Sequence, residues 1–365
     1  MFLMFVLFSM GACSHKAPLM VQSDGSYPTI PLEKEVVTLA VIQSNAESIQ
    51  DIANAKTITN NNLNHMIDMG KEACENEKKP DILLYHEFPL SGYFYGDREN
   101  KIQMAIEIPG PETDALSKLA KSCDAYLVFG AYAKDKDWPG HILSINTIID
   151  RNGTIRKRVW KPRNIKRFYE TFEISTTTVE SVQQEFRKRY GIDEEFPVLQ
   201  TEFGNLAVTT TQLDPLVFGA FAMKGTEIML RTSTLFFQED IVYTAMTNNF
   251  YTAMSNIPYD SPYGGQSLIV DPNGMIISQV TSKLEEGIAF GDIPIAAFRK
   301  NRRLPQYSIE FTHSVFSQYQ DEIPPDHLSL PPDQLPKNGK EMKVLLDRKS
   351  RWSLPVKEEE DSAKD

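Results

Sequence analysis

Short runs of apolar residues alternate along the chain with longer segments in which apolar positions recur at helical spacing. The short runs predict strands over residues 36–44, 81–89, 125–134, 205–211, 226–233, 250–256 and 287–294. The helical spacing predicts helices over about 53–76, 112–122, a segment ending at 224, and 239–249. Residues 143–161 and 267–280 alternate around Asn-Gly turns and predict hairpins. Together these elements predict α/β layers with mixed sheets.

The N-terminus carries an uncharged apolar run, residues 1–12, that ends in Gly11 and Ala12 directly before Cys13. The run is too short to cross a bilayer as a helix. It is similar to a bacterial lipoprotein signal, although no Lys or Arg precedes it and Met10 stands where such signals usually carry Leu. The alternative is an apolar terminus with a free or buried cysteine. We predict a signal over 1–13, lipidation of Cys13, a lipid-anchored location in the bacterial cell envelope, and a linker over 14–34.

The remaining chain divides at about residue 300, where prolines begin to recur between Pro305 and Pro355. We predict one folded domain over 35–300, then a proline-rich arm and charged tail over 301–365, with prolines breaking regular elements there. Residues 172–196 form an inserted segment with an amphipathic helix pattern that stops at Gly191. By default this is a solvated surface helix, and it could also cover the site or a partner surface.

Composition narrows the function only a little. Hydrophobic residues make up 41% and charged residues 24% of the 365-residue chain, which are ordinary globular values. The formal charge of −11 disfavours a nucleic-acid partner. Three cysteines cannot build a disulfide framework, and Cys123 is predicted to pack as a small hydrophobe. No Cys or His spacing is typical of a zinc site, so we predict no metal and no organic cofactor.

The chain contains, in this order, the strings LLYHEFPLSGYFYGD, IEIPGPETDALSKLAKS, DRNGTIRKRVWK, AFAMKGTEIMLR, TNNFYTAMSN and VDPNGMIIS. Together these strings resemble the carbon–nitrogen hydrolase (nitrilase) superfamily, nearest to its aliphatic amidase and formamidase branch. The resemblance extends over about 36–305. It implies a four-layer α-β-β-α sandwich with mixed sheets that pairs sheet-to-sheet with a second subunit, and hence a homo-oligomer, at least a dimer. In the amidase branch a C-terminal arm wraps the partner, and we expect this up to Trp352.

The superfamily hydrolyses small amides or nitriles with a Cys–Glu–Lys triad, and the resemblance implies two members of it here. Glu87, after the strand predicted at 81–89, matches the glutamate that accepts the thiol proton. Lys161, at the end of the hairpin, matches the lysine that stabilises the oxyanion. Glu170 matches a second, substrate-orienting glutamate, with a register that drifts by about one residue.

The nucleophilic cysteine is absent from its expected position. Counted back from Pro215, that position falls on Thr209, and counted forward from Gly204 it falls on Thr211. An internal threonine has neither a terminal amine as base nor a thiol's low pKa. The sequence therefore predicts a protein similar to amidases that hydrolyse small amides to acid and ammonia, with weak or lost activity. The alternative is a non-catalytic, envelope-anchored binding or scaffold protein that reuses the fold.

Overall fold

The computed structural model describes residues 25–93, 96–165, 176–305 and 307–352. Its strands are β1 (Val37–Gln43), β2 (Ile82–Leu84), β3 (Ile106–Glu107), β4 (Tyr126–Lys134), β5 (Ile142–Ile149), β6 (Ile155–Trp160), β7 (Thr176–Thr177), β8 (Leu199–Thr201), β9 (Gly204–Thr209), β10 (Ile228–Ser233), β11 (Tyr251–Asn256), β12 (Leu268–Val270), β13 (Ile276–Gln279) and β14 (Gly287–Ile293). Its helices are α1 (Ala55–Glu75), α2 (Arg98–Met104), α3 (Pro111–Cys123), α4 (Gln183–Tyr190), α5 (Pro215–Met223), α6 (Gln238–Asn248), α7 (Ile295–Asn301), α8 (Ile309–Phe316) and α9 (Gly339–Lys349). None of these helices is both long enough and apolar enough to cross a membrane.

The strands form two mixed sheets. The first has the order β14-β1-β2-β4-β5-β6, with β3 beside β4 and β7 beside β5, and the second has the order β13-β12-β11-β10-β9-β8. Strands β1, β2 and β4 are parallel, as are β9, β10 and β11, and β6 points the same way as β4 because both are antiparallel to β5. The carboxyl ends of several strands therefore meet at one edge of each sheet.

Successive side chains along a strand point to opposite faces of the sheet, so each sheet has one apolar layer towards the other sheet and one towards the helices. Between the two sheets, Leu39 and Val41 of β1 pack in one cluster with Leu206 and Val208 of β9. Helices α1 and α3 cover the other face of the first sheet, and α5 and α6 cover the other face of the second. The chain is a four-layer α-β-β-α sandwich, as predicted. Helices thus cover the outer faces of the central strands, whereas β13 stays largely exposed, and the sheet-to-sheet pairing with a second subunit remains a prediction.

Side chains at the start of each hairpin turn explain why the two predicted hairpins form. Asp150 accepts hydrogen bonds from the backbone nitrogens of Asn152 and Thr154, at 3.0 and 2.9 Å. Asp271 repeats this arrangement in the β12–β13 turn. The glycines at both turns have positive φ, 80° at Gly153 and 83° at Gly274, which side chains disfavour. The turn between β5 and β6 brings Lys161 back to the carboxyl edge of the sheet.

The proline-rich stretch after residue 301 packs largely on its own chain. It contributes apolar side chains to the cluster on the helix side of the first sheet, namely Ile323, Leu328, Leu335, Met342 and Leu346. Arg98 donates its backbone N–H to the carbonyl oxygen of Lys337 at 2.7 Å. Residues 323–346 therefore pack partly on their own chain, whereas α8 (Ile309–Phe316) stays exposed, and the wrapping of a partner by this arm remains a prediction. Two short helices that the sequence did not predict, α8 and α9, form between the prolines of this stretch. Helix α8 has no buried residue.

The inserted segment contains the predicted amphipathic helix, which lies on the surface with most of its residues exposed or half-buried and packs one buried residue against the domain. Within its described part, α4 ends before Gly191, whose φ is 88°. Phe186 of this helix is buried, and its ring centroid lies 5.4 Å from that of Trp160 on β6. Trp138 donates its ring N–H to the hydroxyl of Tyr190 at 2.8 Å. The segment therefore stabilises the end of the hairpin that carries Lys161.

Cys74 in α1 and Cys123 in α3 are joined by a disulfide, with a Cα–Cα distance of 5.6 Å. The prediction that Cys123 is simply a small packing hydrophobe is therefore incomplete, because its sulfur is bonded as well as packed against the core. Sequence spacing could not show this pair, since the 49-residue separation closes only when α1 and α3 pack together. Disulfides of this kind persist in oxidising compartments.

The end of the predicted linker is attached to the domain. The hydroxyl of Tyr27 donates to the fully buried carboxylate of Glu227 at 2.9 Å. Arg299 donates to both oxygens of the same carboxylate, at 2.8 and 2.7 Å, and to the carbonyl oxygen of Ile30. Burial raises the pKa of Tyr27 to about 12. Residues from about 27 onwards are therefore part of the folded unit.

Candidate active site

A cavity of about 420 Å³ opens where the carboxyl ends of strands from both sheets converge. This is the edge at which ligands commonly bind in open α/β sheets. Its walls include a residue that follows each of β2, β6, β9 and β10, namely Glu87, Lys161, Thr210 and Thr234. Tyr93, Tyr259 and Tyr263 add aromatic surface. The cavity is large enough for a small organic molecule.

Glu87 and Lys161, predicted from different parts of the sequence, lie in contact. The Nζ of Lys161 donates to Oε1 of Glu87 at 3.1 Å, and both residues are buried, with 6% and 4% exposure. The hydroxyl of Thr234 donates to the other oxygen of Glu87 at 3.1 Å. The carboxylate is thus held by hydrogen bonds in a site with little water, where charges interact strongly.

Local backbone packing places Glu87. A Cβ at Gly130 of β4 would lie 2.4 Å from the carbonyl oxygen of Glu87, so glycine permits this close approach. The neighbouring His86 is fully buried, and burial lowers its pKa to about 3. Its ring is therefore neutral near pH 7 and adds no second positive charge beside the carboxylate.

Three consecutive threonines follow the body of β9, and the structure places them differently. Ala207 belongs to the cluster facing the helices, so Thr209, two residues on, shares that face. Thr209 is fully buried, and its hydroxyl oxygen accepts the backbone N–H of Thr211 at 3.1 Å. Thr210 lies two residues after Val208 and so shares its face of the strand, which is the face towards the other sheet. Of the three threonines, Thr210 is the one that lines the cavity. Thr209 and Thr211 stay the predicted nucleophile positions, and Thr210 becomes a further candidate because it lines the cavity.

Ion pairs hold the loop from Thr210 to Asp214. Arg231 on β10 is 1% exposed, pairs with Asp240, and donates to the carbonyl oxygen of Thr211 at 3.4 Å. Asp240 also accepts the backbone N–H of Leu213, whose φ is 53°. Arg163 pairs with Asp214, which caps α5. The loop is therefore a fixed part of the wall.

The other predicted residues lie elsewhere. Cys13 and Glu170 are outside the described residues, so their roles stay predictions. Cys74 and Cys123 are bonded to each other and are not among the cavity-lining residues. Over the described ranges, no group of three or more His, Cys, Asp or Glu side chains is placed to hold a metal ion.

The arrangement supplies two of the three groups needed for attack on an amide carbonyl. Lys161 offers a buried cation for a developing oxyanion, and Glu87 offers a base next to it. No cysteine is among the described residues of the wall, and Thr210, which lines it, has a buried hydroxyl oxygen without a hydrogen-bond partner among the described residues. The pair was predictable from the motifs, whereas Thr210, Thr234 and Tyr259 come from loops that only the fold brings together.

Comparison with known proteins agrees with this geometry. The family model described as carbon-nitrogen hydrolase matches residues 38–303. A double mutant of the amidase from Nesterenkonia sp. AN1 in complex with acrylamide has a TM-score of 0.57 and 16% identity, over 79% of this chain and 100% of that chain. A mutant of that amidase in complex with butyramide has a TM-score of 0.56 and 17% sequence identity, and the match covers 76% of this chain and 96% of that chain. At this identity the structural likeness shows the fold, and the family match, which spans most of the chain, shows that the chain belongs to the carbon–nitrogen hydrolase family.

Proposed function

We propose that this protein binds a small amide in the cavity and hydrolyses it weakly or not at all. One observation carries the proposal: the Glu87–Lys161 pair, in contact at 3.1 Å, faces the same cavity as a threonine. The two described cysteines are sequestered in a disulfide. The site therefore keeps the groups that polarise an amide but lacks a thiol to attack it.

The chemistry of the cavity favours a small amide as the ligand. The ammonium of Lys161 can donate a hydrogen bond to a carbonyl oxygen, and the buried setting strengthens that bond. Glu87 and Lys161 compensate each other's charge, so a neutral ligand fits the pair without bringing in a further charge. The amidase structures with acrylamide and butyramide support a ligand of this class.

The chemistry of threonine explains why turnover is expected to be weak. A thiol ionises with a pKa of about 8.5, whereas an aliphatic hydroxyl is a far weaker acid that a carboxylate deprotonates poorly. Threonine nucleophiles generally rely on a free terminal amine, and residue 210 is internal. Its β-methyl group also occupies space on the side from which a carbonyl carbon must approach.

Calorimetric titration with butyramide, combined with an ammonia assay, tests this proposal. We expect the wild type to bind butyramide and to release no ammonia above background. Lys161→Met should weaken binding about tenfold or more, because it removes a charged hydrogen-bond donor. Lys157→Met is the matched control, since Lys157 lies on β6, the strand that Lys161 follows, and pairs with Glu194 away from the cavity. Melting curves check that both variants fold.

Two outcomes of that titration would contradict the proposal. Ammonia release by the wild type at an ordinary enzymatic rate, about 1–10³ s⁻¹, that disappears in Glu87→Gln would show a working hydrolase. No binding of butyramide or acrylamide would instead favour the scaffold alternative, in which the fold is retained without a ligand site.

We further propose that the protein is anchored by a lipid on Cys13 in the bacterial cell envelope. The apolar run before Cys13 supports this, and the Cys74–Cys123 disulfide supports an oxidising compartment. In cell fractionation, we expect Cys13→Ser to move the protein from the membrane fraction to the soluble fraction. Met10→Leu, which restores the usual residue of such signals, should remain in the membrane. A Cys13→Ser protein that stays in the membrane fraction would disprove the anchor.

We also propose that the protein is a homo-oligomer, with α8 as part of the contact. Phe311 and Val315 of this helix are 87% and 71% exposed, and the helix has no buried residue. A helix of eight residues is marginal in water without tertiary packing. A further exposed apolar set lies on the second sheet's helices, namely Leu216, Tyr243 and Met246. A second copy would cover both surfaces in a two-fold arrangement.

A further inference from the structure

The two ends of the cavity differ in chemistry. Across the sandwich, β6 packs against β9 at one end of the carboxyl edge and β1 packs against β11 at the other, with β2 and β10 between them. Lys161 and Thr210 follow β6 and β9, so they line one end, which we call the polar end. Ala46 follows β1, and Ile257 and Tyr259 follow β11, so these residues line the opposite end, which we call the apolar end.

The apolar end lies beyond the reach of a short amide bound at Lys161. Neighbouring strands are about 4.8 Å apart, and β10 separates β9 from β11, so Thr210 and Ile257 are about 10 Å apart along the edge. The cavity volume of about 420 Å³ is in the range that binds drug-sized ligands. A short ligand such as butyramide, with its carbonyl oxygen at Lys161, would therefore leave the apolar end without a contact.

Hydrogen bonds hold the wall of the apolar end in place. The backbone N–H of Tyr259 donates to the carbonyl oxygen of Lys283 at 2.9 Å, and its hydroxyl donates to the carbonyl oxygen of Thr234 at 2.8 Å. The carbonyl oxygen of Ile257 accepts the backbone N–H of Gly265 at 2.9 Å. Because polar groups of this wall are bonded within the protein, its side chains offer a ligand mainly hydrocarbon surface.

Among the described residues that line the cavity, charge is confined to Glu87 and Lys161, which pair with each other. Further polar groups come from Ser48, Gln50 and Ser261, which are uncharged and half-buried or exposed. A charged ligand tail at the apolar end would therefore lose hydration without meeting an opposite charge. An apolar tail would instead gain from its removal from water.

We propose that the ligand of this cavity is a primary amide with an apolar acyl chain longer than that of butyramide. This inference rests on the proposed function and specifies the class of amide that the same cavity binds. The carboxamide lies at the polar end with its carbonyl oxygen towards Lys161. The acyl chain passes Leu235, which follows β10, and ends between Ala46 and Ile257. Binding thus combines a charged hydrogen-bond donor at one end with burial of hydrocarbon at the other.

Competitive calorimetry with butyramide, hexanamide and adipamate tests the inference on the full chain. Each buried methylene group improves binding by about fourfold, so we expect hexanamide to bind about tenfold or more tighter than butyramide. Adipamate carries a carboxylate where hexanamide carries its terminal methyl group. We expect adipamate to bind about tenfold or more weakly than hexanamide, because the apolar end supplies no opposite charge.

Ala46→Phe is expected to remove the preference for the longer amide. The larger side chain fills the apolar end, so hexanamide and butyramide should then bind with similar affinity. Residue 46 is half-buried, and melting curves check that the variant folds. Ala53→Phe makes the same change at an exposed residue that does not line the cavity, and should keep the preference.

The outcomes separate this inference from the proposed function. If the wild type binds butyramide and hexanamide equally well, the inference fails while the proposed amide site stands, and no variant is needed to show it. Adipamate that binds as tightly as hexanamide would overturn the apolar character of the tail. A folded Ala46→Phe protein that keeps the preference would overturn the position of the acyl chain. If the wild type binds none of the three amides, the proposed function fails and the inference falls with it.

Discussion

Thr210→Cys is expected to create a reactive thiol in the cavity. A thiol at this position would face the wall that carries Glu87 and Lys161, where a base and a cation both favour the thiolate. With iodoacetamide near pH 7, we expect alkylation of this variant about 10²-fold or more faster than of Thr209→Cys, because a thiolate is the stronger nucleophile. Intact-protein mass spectrometry over time measures the single adduct. A Cys13→Ser background removes the remaining unpaired cysteine.

Thr209→Cys and Thr211→Cys are the matched controls for that reaction. Neither residue is among those that line the cavity, and Thr209 is fully buried on the helix-facing side of β9. We expect both thiols to react much more slowly than the one at residue 210. Faster alkylation at residue 209 or 211 would show that the register count from Pro215 or Gly204, rather than the alternation of β9, identifies the attacking position.

Phe311→Glu is expected to convert the oligomer to monomers. Burying a phenylalanine side chain stabilises a contact by roughly 1.5–3 kcal/mol, and a two-fold interface contains the residue twice. Loss of both contacts, about 3–6 kcal/mol, would raise the dissociation constant by about 10²- to 10⁴-fold. Light scattering during size-exclusion chromatography measures the mass in solution.

Leu284→Glu provides the control for a change in surface charge. Leu284 is 56% exposed, but it lies in the loop between β13 and β14, away from α8. We expect this variant to keep the wild-type mass. A wild-type protein that is monomeric at micromolar concentration would contradict the proposed homo-oligomer directly.

The sandwich itself could be predicted because its strands and helices have strong periodicity. Leu39 and Val41 face the second sheet while Ala40 and Ile42 face α1, which is the alternation that the sequence displays. The C-terminal arm could not be predicted in the same way. Its short helices lie between prolines, and the burial of Met342 and Leu346 on α9 depends on an apolar cluster built by residues far away in the sequence.

The candidate site was predictable where a residue lies in a sequence motif of the family. Glu87 and Lys161 do so, and both line the cavity. Thr210 did not emerge as a candidate, because counting from Pro215 or Gly204 does not consider which face of the strand a residue occupies.

A crystal structure of the wild-type protein soaked with butyramide tests the central claim most directly. We expect an intact amide in the cavity, with its carbonyl oxygen within hydrogen-bond distance of Lys161 and no bond to any threonine. Continuous electron density from the hydroxyl of Thr209, Thr210 or Thr211 to an acyl carbon would show a working nucleophile, and would contradict a site that binds amides without cleaving them.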